Sequence, residues 1–164
     1  MKKIVTCPIV LVAIVTLSLY VNGQAQDAVK ETEQTPVIIF ICEHGAAKSI
    51  VSVAYFNKLA TERHLNFRAI ARGTNPDKEI SLKVQEGLQK DGLTSSEPVP
   101  KKISKADLAG ARRVITFCSL PDDYAGDIRV EHWDDLLWES EDYSKSRDRI
   151  LERLGRLLEE LKSK

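Results

Sequence analysis

An apolar run that ends in a cysteine and leads straight into a helical pattern is the feature that most restricts how this chain can fold. Residues 37–41 are Val-Ile-Ile-Phe-Ile, and Cys42 follows them. Five residues separate Cys42 from Lys48 and Ser49, after which apolar residues take helical spacing as far as Leu59. An uninterrupted apolar run is typical of a parallel strand buried on both faces. We therefore expect a strand, a tight loop and a helix in immediate succession.

The place of Cys42 in this predicted unit allows two interpretations of its thiol. The N-terminus of a helix presents unpaired N–H groups and the positive end of the helix dipole to the preceding loop. A cysteine beside such a terminus exists partly as thiolate and can act as a nucleophile. The alternative is a buried structural cysteine, because free cysteines are common in protein cores.

Three further strands are predicted along the chain. Apolar residues alternate with polar ones over 65–71, which predicts a second strand nearer an edge of the sheet. Residues 114–118 form another buried apolar run, which also ends in a cysteine, Cys118. Residues 129–133 predict a short fourth strand.

Helical patterns lie between these strands. Apolar residues at helical spacing extend from Ile80 to Leu88, and Gly92 ends that helix. Ser104 can start a short helix, and an apolar stripe between 141 and 162 predicts a long one. The alternation predicts an α/β fold, a three-layer doubly wound sheet of four parallel strands with helices on both faces.

Chemically active side chains follow the end of every predicted strand. They are Cys42, Arg72, Cys118, Asp134 and Asp135. In doubly wound sheets, ligands bind at the carboxyl ends of the strands. We therefore expect one site at this edge of the sheet.

Residues 1–26 have the organisation of a secretory signal peptide. Two lysines precede a mostly apolar segment, and Gly23 and Ala25 supply small residues before a cleavage site. We expect a linker at 27–35, a folded domain at 36–164, and a periplasmic or secreted protein. The alternative is an uncleaved N-terminal anchor, the one case in which we expect contact with a membrane.

Charge and cysteine content exclude two classes of protein. The chain has 24 Lys plus Arg against 24 Asp plus Glu and no basic stripe, so we expect no nucleic-acid partner. Cys7 lies in the predicted signal peptide, so an exported chain keeps only Cys42 and Cys118. Two cysteines are too few for a disulfide scaffold but enough for one redox-active pair.

Four motifs occur in a fixed order along the chain. They are Cys42-(five residues)-Lys48-Ser49, Ala71-Arg72-Gly73-Thr74, Ala106-Asp107-Leu108 followed by Val114 to Cys118, and Glu131-His132-Trp133 followed by Asp134-Asp135. With these motifs, the chain from about Val37 to Leu161 resembles the low-molecular-weight protein tyrosine phosphatases and their thioredoxin-coupled arsenate reductase relatives. The first motif matches the phosphate loop of that family, and the second matches its Ser-Ala-Gly-Thr turn.

The resemblance implies a role for each matching residue. Cys42 is the implied nucleophile, with its thiolate held by the Ser49 hydroxyl. Asp135, or Asp134, is the implied acid that protonates the leaving oxygen and later activates water. The implied partner is phosphate or an arsenate-like oxyanion, carried by a phosphorylated small molecule or peptide, and neither cofactor nor metal is implied. The implied oxyanion-binding loop consists of Glu43, His44, Gly45, Ala46, Ala47 and Lys48.

Three positions depart from the family pattern. Lys48 stands in place of the loop arginine, and a lysine offers a point charge where an arginine grips two oxygens with a planar fork. Leu136 follows Asp135 where a proline is usual, and Ala125 stands where the reductases have a further cysteine.

Two charged residues of the expected site allow more than one interpretation. Arg72 replaces a small residue of the family's turn, and we expect its guanidinium to reach the bound anion and partly restore the charge lost at Lys48. The alternative is a surface arginine in a turn. His44 either promotes the Cys42 thiolate as an imidazolium or is simply exposed.

These features support three hypotheses about function. The first is an exported phosphomonoester hydrolase, favoured by Cys42, Ser49 and Asp135, with phosphotyrosine as one candidate substrate. The second is an oxyanion reductase of arsenate type that uses Cys42 and then Cys118. The third is a non-catalytic oxyanion-binding domain, favoured by Lys48.

The two cysteines that remain after export also generate a redox prediction. If one strand separates the strands that carry Cys42 and Cys118, the thiols face one cleft but start too far apart for direct bonding. We expect a reduced pair at rest, and an oxidant-induced, easily reduced Cys42–Cys118 bond that stops phosphatase activity.

Overall fold

The computed structural model describes residues 35–124, 129–136 and 142–163. The predicted signal peptide at 1–26, and all of the predicted linker at 27–35 except Thr35, lie outside the described residues. Within the described part of the chain, no helix is long and apolar enough to cross a membrane.

Four strands form a parallel sheet: β1 (Val37–Cys42), β2 (Arg68–Gly73), β3 (Ala111–Thr116) and β4 (Val130–His132). Their order is β2-β1-β3-β4, and every neighbouring pair is parallel, which confirms the predicted fold class. β2 lies at an edge, as its alternating sequence predicted. β3 ends two residues before Cys118, so this cysteine lies beyond the strand rather than in it.

Four helices accompany the sheet: α1 (Lys48–Glu62), α2 (Leu82–Lys90), α3 (Lys105–Ala109) and α4 (Tyr143–Lys162). A short 3-10 helix occupies Asp122–Tyr124. Side chains of α1, α2 and α4 pack on one face of the sheet, and Leu108 of α3 packs on the other, so the domain has three layers. Ser104 caps α3 by accepting a hydrogen bond from the Asp107 N–H, as the sequence predicted.

β1 is the central support of the domain because both of its faces are buried. Ile38 and Phe40 point into the core formed with α1, α2 and α4, whereas Ile39 and Ile41 point into the smaller core beside α3. All four side chains are fully buried. This is the burial that the uninterrupted apolar run predicted, and it fixes the end of β1, where Cys42 lies.

The condition considered above, that one strand separates the two cysteine-bearing strands, is not met. β3 pairs directly with β1, and Ile41 lies opposite Thr116. The chain places β2 on one side of β1 and then crosses to place β3 on the other side. In doubly wound sheets the carboxyl ends at such a reversal form the ligand crevice. Cys42 and Cys118 both reach this crevice, from adjacent strands.

Aromatic rings form the floor beneath the carboxyl edge. The Phe40 ring lies 5.8 Å from the Trp133 ring and 6.5 Å from the Phe117 ring, measured between centroids. Trp133, which directly follows β4, is 1% exposed, and its indole N–H donates to Glu131. The turn at 134–136 therefore follows directly on a residue that is buried in the core.

The outer edge of β2 is covered by other parts of the chain. The Asn57 side chain accepts from the Ala69 N–H at 2.7 Å and donates to the Ala69 carbonyl at 3.2 Å. The Glu97 carboxylate accepts from the Ala71 N–H at 3.0 Å. Gly73 donates to the Lys101 carbonyl and accepts from the Ile103 N–H. The backbone of 69, 71 and 73 is thus hydrogen-bonded on its open side.

Candidate active site

Residues 43–47, here named the anion loop, connect the end of β1 to the start of α1. Gly45 has a φ of 60°, a conformation that glycine adopts without steric cost. The loop then turns directly into α1, whose first residues are Lys48 and Ser49. The Cys42 Sγ and Ser49 Oγ atoms lie 3.1 Å apart in buried surroundings. The thiol is therefore held at a helix N-terminus next to a hydroxyl that can donate to a thiolate.

The segment between β2 and α2 supports the anion loop through its carbonyl groups. Four hydrogen bonds at 2.8–3.2 Å connect the two segments, and in each of them the anion-loop side provides the acceptor. With the carbonyls turned toward this support, the loop N–H groups face the opposite side, as an anion-binding nest requires. The four backbone N–H groups that donate belong to Thr74, Asn75, Asp77 and Ser81, and the carbonyls that accept belong, in the same order, to Cys42, Glu43, His44 and Ala46.

The two segments approach so closely that glycine is required in both. A Cβ atom on Gly73 would lie 2.9 Å from the Gly45 nitrogen and 3.1 Å from the Glu43 carbonyl oxygen. A Cβ atom on Gly45 would lie 3.0 Å from the Gly73 nitrogen. A Cβ atom at either position would therefore be too close to the backbone of the other segment. This contact between Gly45 and Gly73 sets the shape of the anion loop.

A cavity of about 190 Å³ opens beside the anion loop. Since about 10–15 Å³ is enough to hold one buried water, the cavity has room for a tetrahedral oxyanion. Six of the predicted site residues line it, together with Phe117, which the sequence did not single out as a site residue. The lining residues are Cys42, Glu43, His44, Ala47, Lys48, Phe117 and Cys118.

Lys48 is bonded to backbone carbonyls on the far side of the cavity. Its Nζ donates to the Phe117 carbonyl at 3.3 Å and to the Leu136 carbonyl at 3.4 Å. It also lies 5.4 Å from the centre of the Phe117 ring, within the range of a cation–π contact. The Lys48 ammonium thus connects the start of α1, directly after the anion loop, to the residue that follows β3 and to the end of the turn at 134–136.

The prediction that Arg72 reaches the anion is wrong. Its guanidinium bonds to Glu97 at 3.0 Å and to Asp107 at 2.9 Å, and only 13% of its side chain is exposed. Arg72 is not among the residues that line the Cys42 cavity. Two carboxylates satisfy the planar fork and neutralise its charge, so Arg72 anchors the segment after α2 rather than binding an oxyanion.

Asp135 is also placed differently from the expectation. Its carboxylate is paired with Arg153 of α4 and is 62% exposed, and Asp135 is not among the cavity-lining residues. Arg153 in turn lies over the Trp133 ring, 5.9 Å from its centre, which keeps the guanidinium at this position. Asp134 is exposed. The structure therefore brings neither carboxylate of the predicted acid pair into the cavity.

Cys118 lies in the cavity as a protonated thiol. Burial raises the pKa of the Cys118 thiol above its usual value, although the Thr116 hydroxyl, 3.7 Å from the sulfur, acts in the opposite direction. Both Cys42 and Cys118 are free. Ala125 lies outside the described residues.

His44 has partners that the sequence analysis missed. Its Nδ1 lies 3.1 Å from the Asp77 carboxylate, and its Nε2 lies 3.9 Å from the Glu43 carboxylate. Asp77 belongs to the segment between β2 and α2. Among the described residues, no group of three or more His, Cys, Asp or Glu side chains could hold a metal ion.

Solved structures similar to this one include both phosphatases and arsenate reductases. A low-molecular-weight protein tyrosine phosphatase from T. tengcongensis has a TM-score of 0.67 at 19% identity, over 76% of this chain and 99% of its own. The arginine phosphatase YwlE, from Bacillus subtilis, has a TM-score of 0.69 at 18% identity, over 77% of this chain and 95% of its own. No curated protein matches the chain.

A thioredoxin-dependent arsenate reductase from Corynebacterium glutamicum has a TM-score of 0.62 at 20% identity. The similarity covers 78% of this chain but only 62% of the reductase. At these identities the structures show a shared fold. The sequence model of the low molecular weight phosphotyrosine protein phosphatases matches residues 37–123, more than half of the chain, and this stretch includes the anion loop, its support and both cysteines of the cavity. The chain therefore belongs to the low-molecular-weight phosphotyrosine protein phosphatase family.

Proposed function

We propose that this protein hydrolyses phosphomonoesters through a cysteinyl-phosphate intermediate, with a phosphate loop weakened by lysine in place of arginine. The observation that carries the proposal is the 3.1 Å contact between Cys42 and Ser49 at the N-terminus of α1, next to a cavity that Cys42 lines and that can hold an oxyanion. A hydroxyl donor and a helix terminus both favour a thiolate, which is the form of cysteine that attacks phosphorus.

The anion loop supplies the electrostatic part of this mechanism. Its N–H groups face the cavity and receive the phosphoryl oxygens, and they are preorganised because the segment between β2 and α2 holds their carbonyls. Preorganised donors of this kind commonly give the largest single contribution to catalysis. In the second step, the Ser49 hydroxyl stabilises the Cys42 thiolate as it leaves phosphorus.

The cavity wall favours a substrate with an apolar group next to the phosphate. Phe117 and Ala47 are the apolar residues other than cysteine that line the cavity. A phosphorylated small molecule or peptide with an aryl ester fits this wall, because an aromatic ring buries apolar area against it.

Cys118 supports a second candidate, an oxyanion reductase of arsenate type. Cys42 would displace an oxygen of arsenate and form an S–As bond. Cys118 would then attack the Cys42 sulfur, so that the two thiols lose two electrons to form a disulfide and arsenic leaves as arsenite. The observation that favours this route is that both sulfurs reach the same cavity from adjacent strands.

We also propose that the protein is exported and that residues 1–26 are removed. The support is the basic start, the apolar segment and the small residues at Gly23 and Ala25. The intact mass of protein recovered from the periplasm or medium is expected to match a chain without this segment, and Ala25→Phe, which blocks a small-residue site, is expected to retain it. A full-length mass in the exported fraction would refute cleavage.

Serine replacements of the two cysteines separate the candidate reactions. In reduced protein, Cys42→Ser is expected to abolish hydrolysis of p-nitrophenyl phosphate, whereas Cys118→Ser is expected to keep it, because only Cys42 bonds to phosphorus. Arsenate reduction with a dithiol that is lost in both variants would instead support the reductase. Phosphate binding by the wild type without turnover of either substrate would show a non-catalytic binding domain.

Lys48→Arg tests whether the loop is weakened by lysine. Arginine can grip two oxygens of the anion, and a charge-assisted bond of this type is worth about 1.5–3 kcal/mol. The variant is therefore expected to raise phosphatase kcat/KM about tenfold to a hundredfold. Lys58→Arg, at a half-exposed lysine paired with Glu62 on the same helix, is the matched control. A neutral or harmful Lys48→Arg result would mean that the loop is shaped for lysine.

Alkylation rates test the thiolate assigned to Cys42. With limiting iodoacetamide near neutral pH, Cys42 is expected to react much faster than Cys118, whose pKa is raised by burial. Ser49→Ala removes the hydroxyl donor and is expected to slow Cys42 about tenfold. Peptide mass spectrometry of the folded, reduced protein gives both rates. Equal rates at the two cysteines would contradict this assignment.

A further inference from the structure

Phosphate ester hydrolysis needs an acid, and among the residues that the structure describes no aspartate lines the cavity. A leaving alkoxide or phenoxide must receive a proton as its bond to phosphorus breaks. Asp135, the residue that the family pattern implies, is paired with Arg153 and is not among the cavity-lining residues. Of the residues that do line the cavity, Glu43 carries a carboxylate and His44 an imidazole, and both side chains are more than half exposed.

We propose that His44, held by Asp77, is the acid–base residue of this site, a role that rests on the phosphatase function proposed above. His44 lines the cavity together with the nucleophile Cys42. Histidine is the side chain best suited to give and take a proton near neutral pH. In this role His44 takes the place of the Asp135 carboxylate, which belongs to the turn at 134–136.

The contact with Asp77 fixes which ring nitrogen is available. His44 Nδ1 lies 3.1 Å from the Asp77 carboxylate, and we place a proton on Nδ1, on the side of that carboxylate, which leaves Nε2 for chemistry. The Asp77 N–H also donates to the His44 carbonyl at 3.0 Å. This backbone hydrogen bond and the close approach of the carboxylate to the ring place Asp77 as the orienting carboxylate of His44.

The surroundings of the ring favour proton transfer at Nε2. Nε2 lies 3.9 Å from the carboxylate of Glu43, which itself lines the cavity. Carboxylates thus lie near both ring nitrogens, whereas Lys48, the positive group of the cavity, is engaged by two carbonyls. The His44 side chain is 53% exposed, so its proton is replenished from water between turnovers.

The two chemical steps balance with His44 as the only proton carrier. In the first, the Cys42 thiolate forms an S–P bond, the P–O bond to the leaving group breaks, and His44 Nε2–H gives its proton to the departing oxygen. In the second, neutral Nε2 takes a proton from water as that water attacks phosphorus. The S–P bond breaks, inorganic phosphate leaves, and the thiolate and the imidazolium are restored.

A leaving-group series tests this role. A phenolate that leaves poorly depends on the acid, whereas 2,4-dinitrophenolate leaves without one. His44→Asn is expected to lower kcat/KM for phenyl phosphate about a hundredfold and to change kcat/KM for 2,4-dinitrophenyl phosphate little, because kcat/KM reports the step in which the leaving group departs. The matched control is His64→Asn, at the far end of α1, where asparagine tolerates the observed φ of 55°.

Asp77→Asn tests the positioning residue. Asp77→Asn is expected to lower the rate of ester hydrolysis less than His44→Asn does, with the same dependence on the leaving group. It is expected to have no further effect in the His44→Asn background, since the two residues act as one unit. Independent, additive losses would reject that coupling.

Each other outcome has a defined meaning. Equal losses on both esters in His44→Asn would show that the ring only shapes the loop, and would overturn the proposal while leaving the phosphatase function intact. A leaving-group-dependent loss in Asp135→Asn but not in His44→Asn would return the role to Asp135. No turnover of either ester by the wild type would refute the phosphatase function itself, and the role of His44 with it.

Discussion

The site depends on one contact, the approach of the anion loop to the segment that follows β2. Gly45 and Gly73 meet at a distance that no side chain allows, and the loop carbonyls bond outward to the supporting segment. The carbonyls therefore determine where the N–H groups point. The pairing of β1 with β2 places Cys42 opposite Gly73, so the sheet itself brings the two segments together. Burial of β1 on both faces then makes this arrangement rigid.

Short-range patterns in the sequence predicted most of the fold and the nucleophile loop. A buried strand, a five-residue loop and a helix are each encoded by neighbouring residues, so Cys42 and Ser49 could be placed together. The assignments that failed depend on residues distant in the chain. Arg72 bonds to carboxylates 25 and 35 positions away, and Asp135 bonds to Arg153 across the start of α4. Strand order also depends on residues distant in the chain, because the sequence of β3 alone does not indicate that it pairs with β1.

Family membership fixes the scaffold here more firmly than the reaction. Structures with this fold include a tyrosine phosphatase, an arginine phosphatase and an arsenate reductase, all at 20% identity or less to this chain. Function is carried by side chains placed on such a scaffold. In this chain the distinguishing groups are Lys48, His44 and Cys118, which all line the cavity around the nucleophile. The reactions proposed above depend on these three residues for the bond that is broken and for the path of the proton.

The covered edge of β2 has a consequence for how the protein behaves in a crowded solution. An exposed strand edge is a template on which a second chain can add a strand, and it is a common start of aggregation. Here Asn57 and Glu97 occupy the outward N–H groups of 69 and 71, and Arg72 bonds to both Glu97 and the Ala71 carbonyl. The arginine that was expected to bind the anion therefore helps to cover the edge at which a second chain could add a strand.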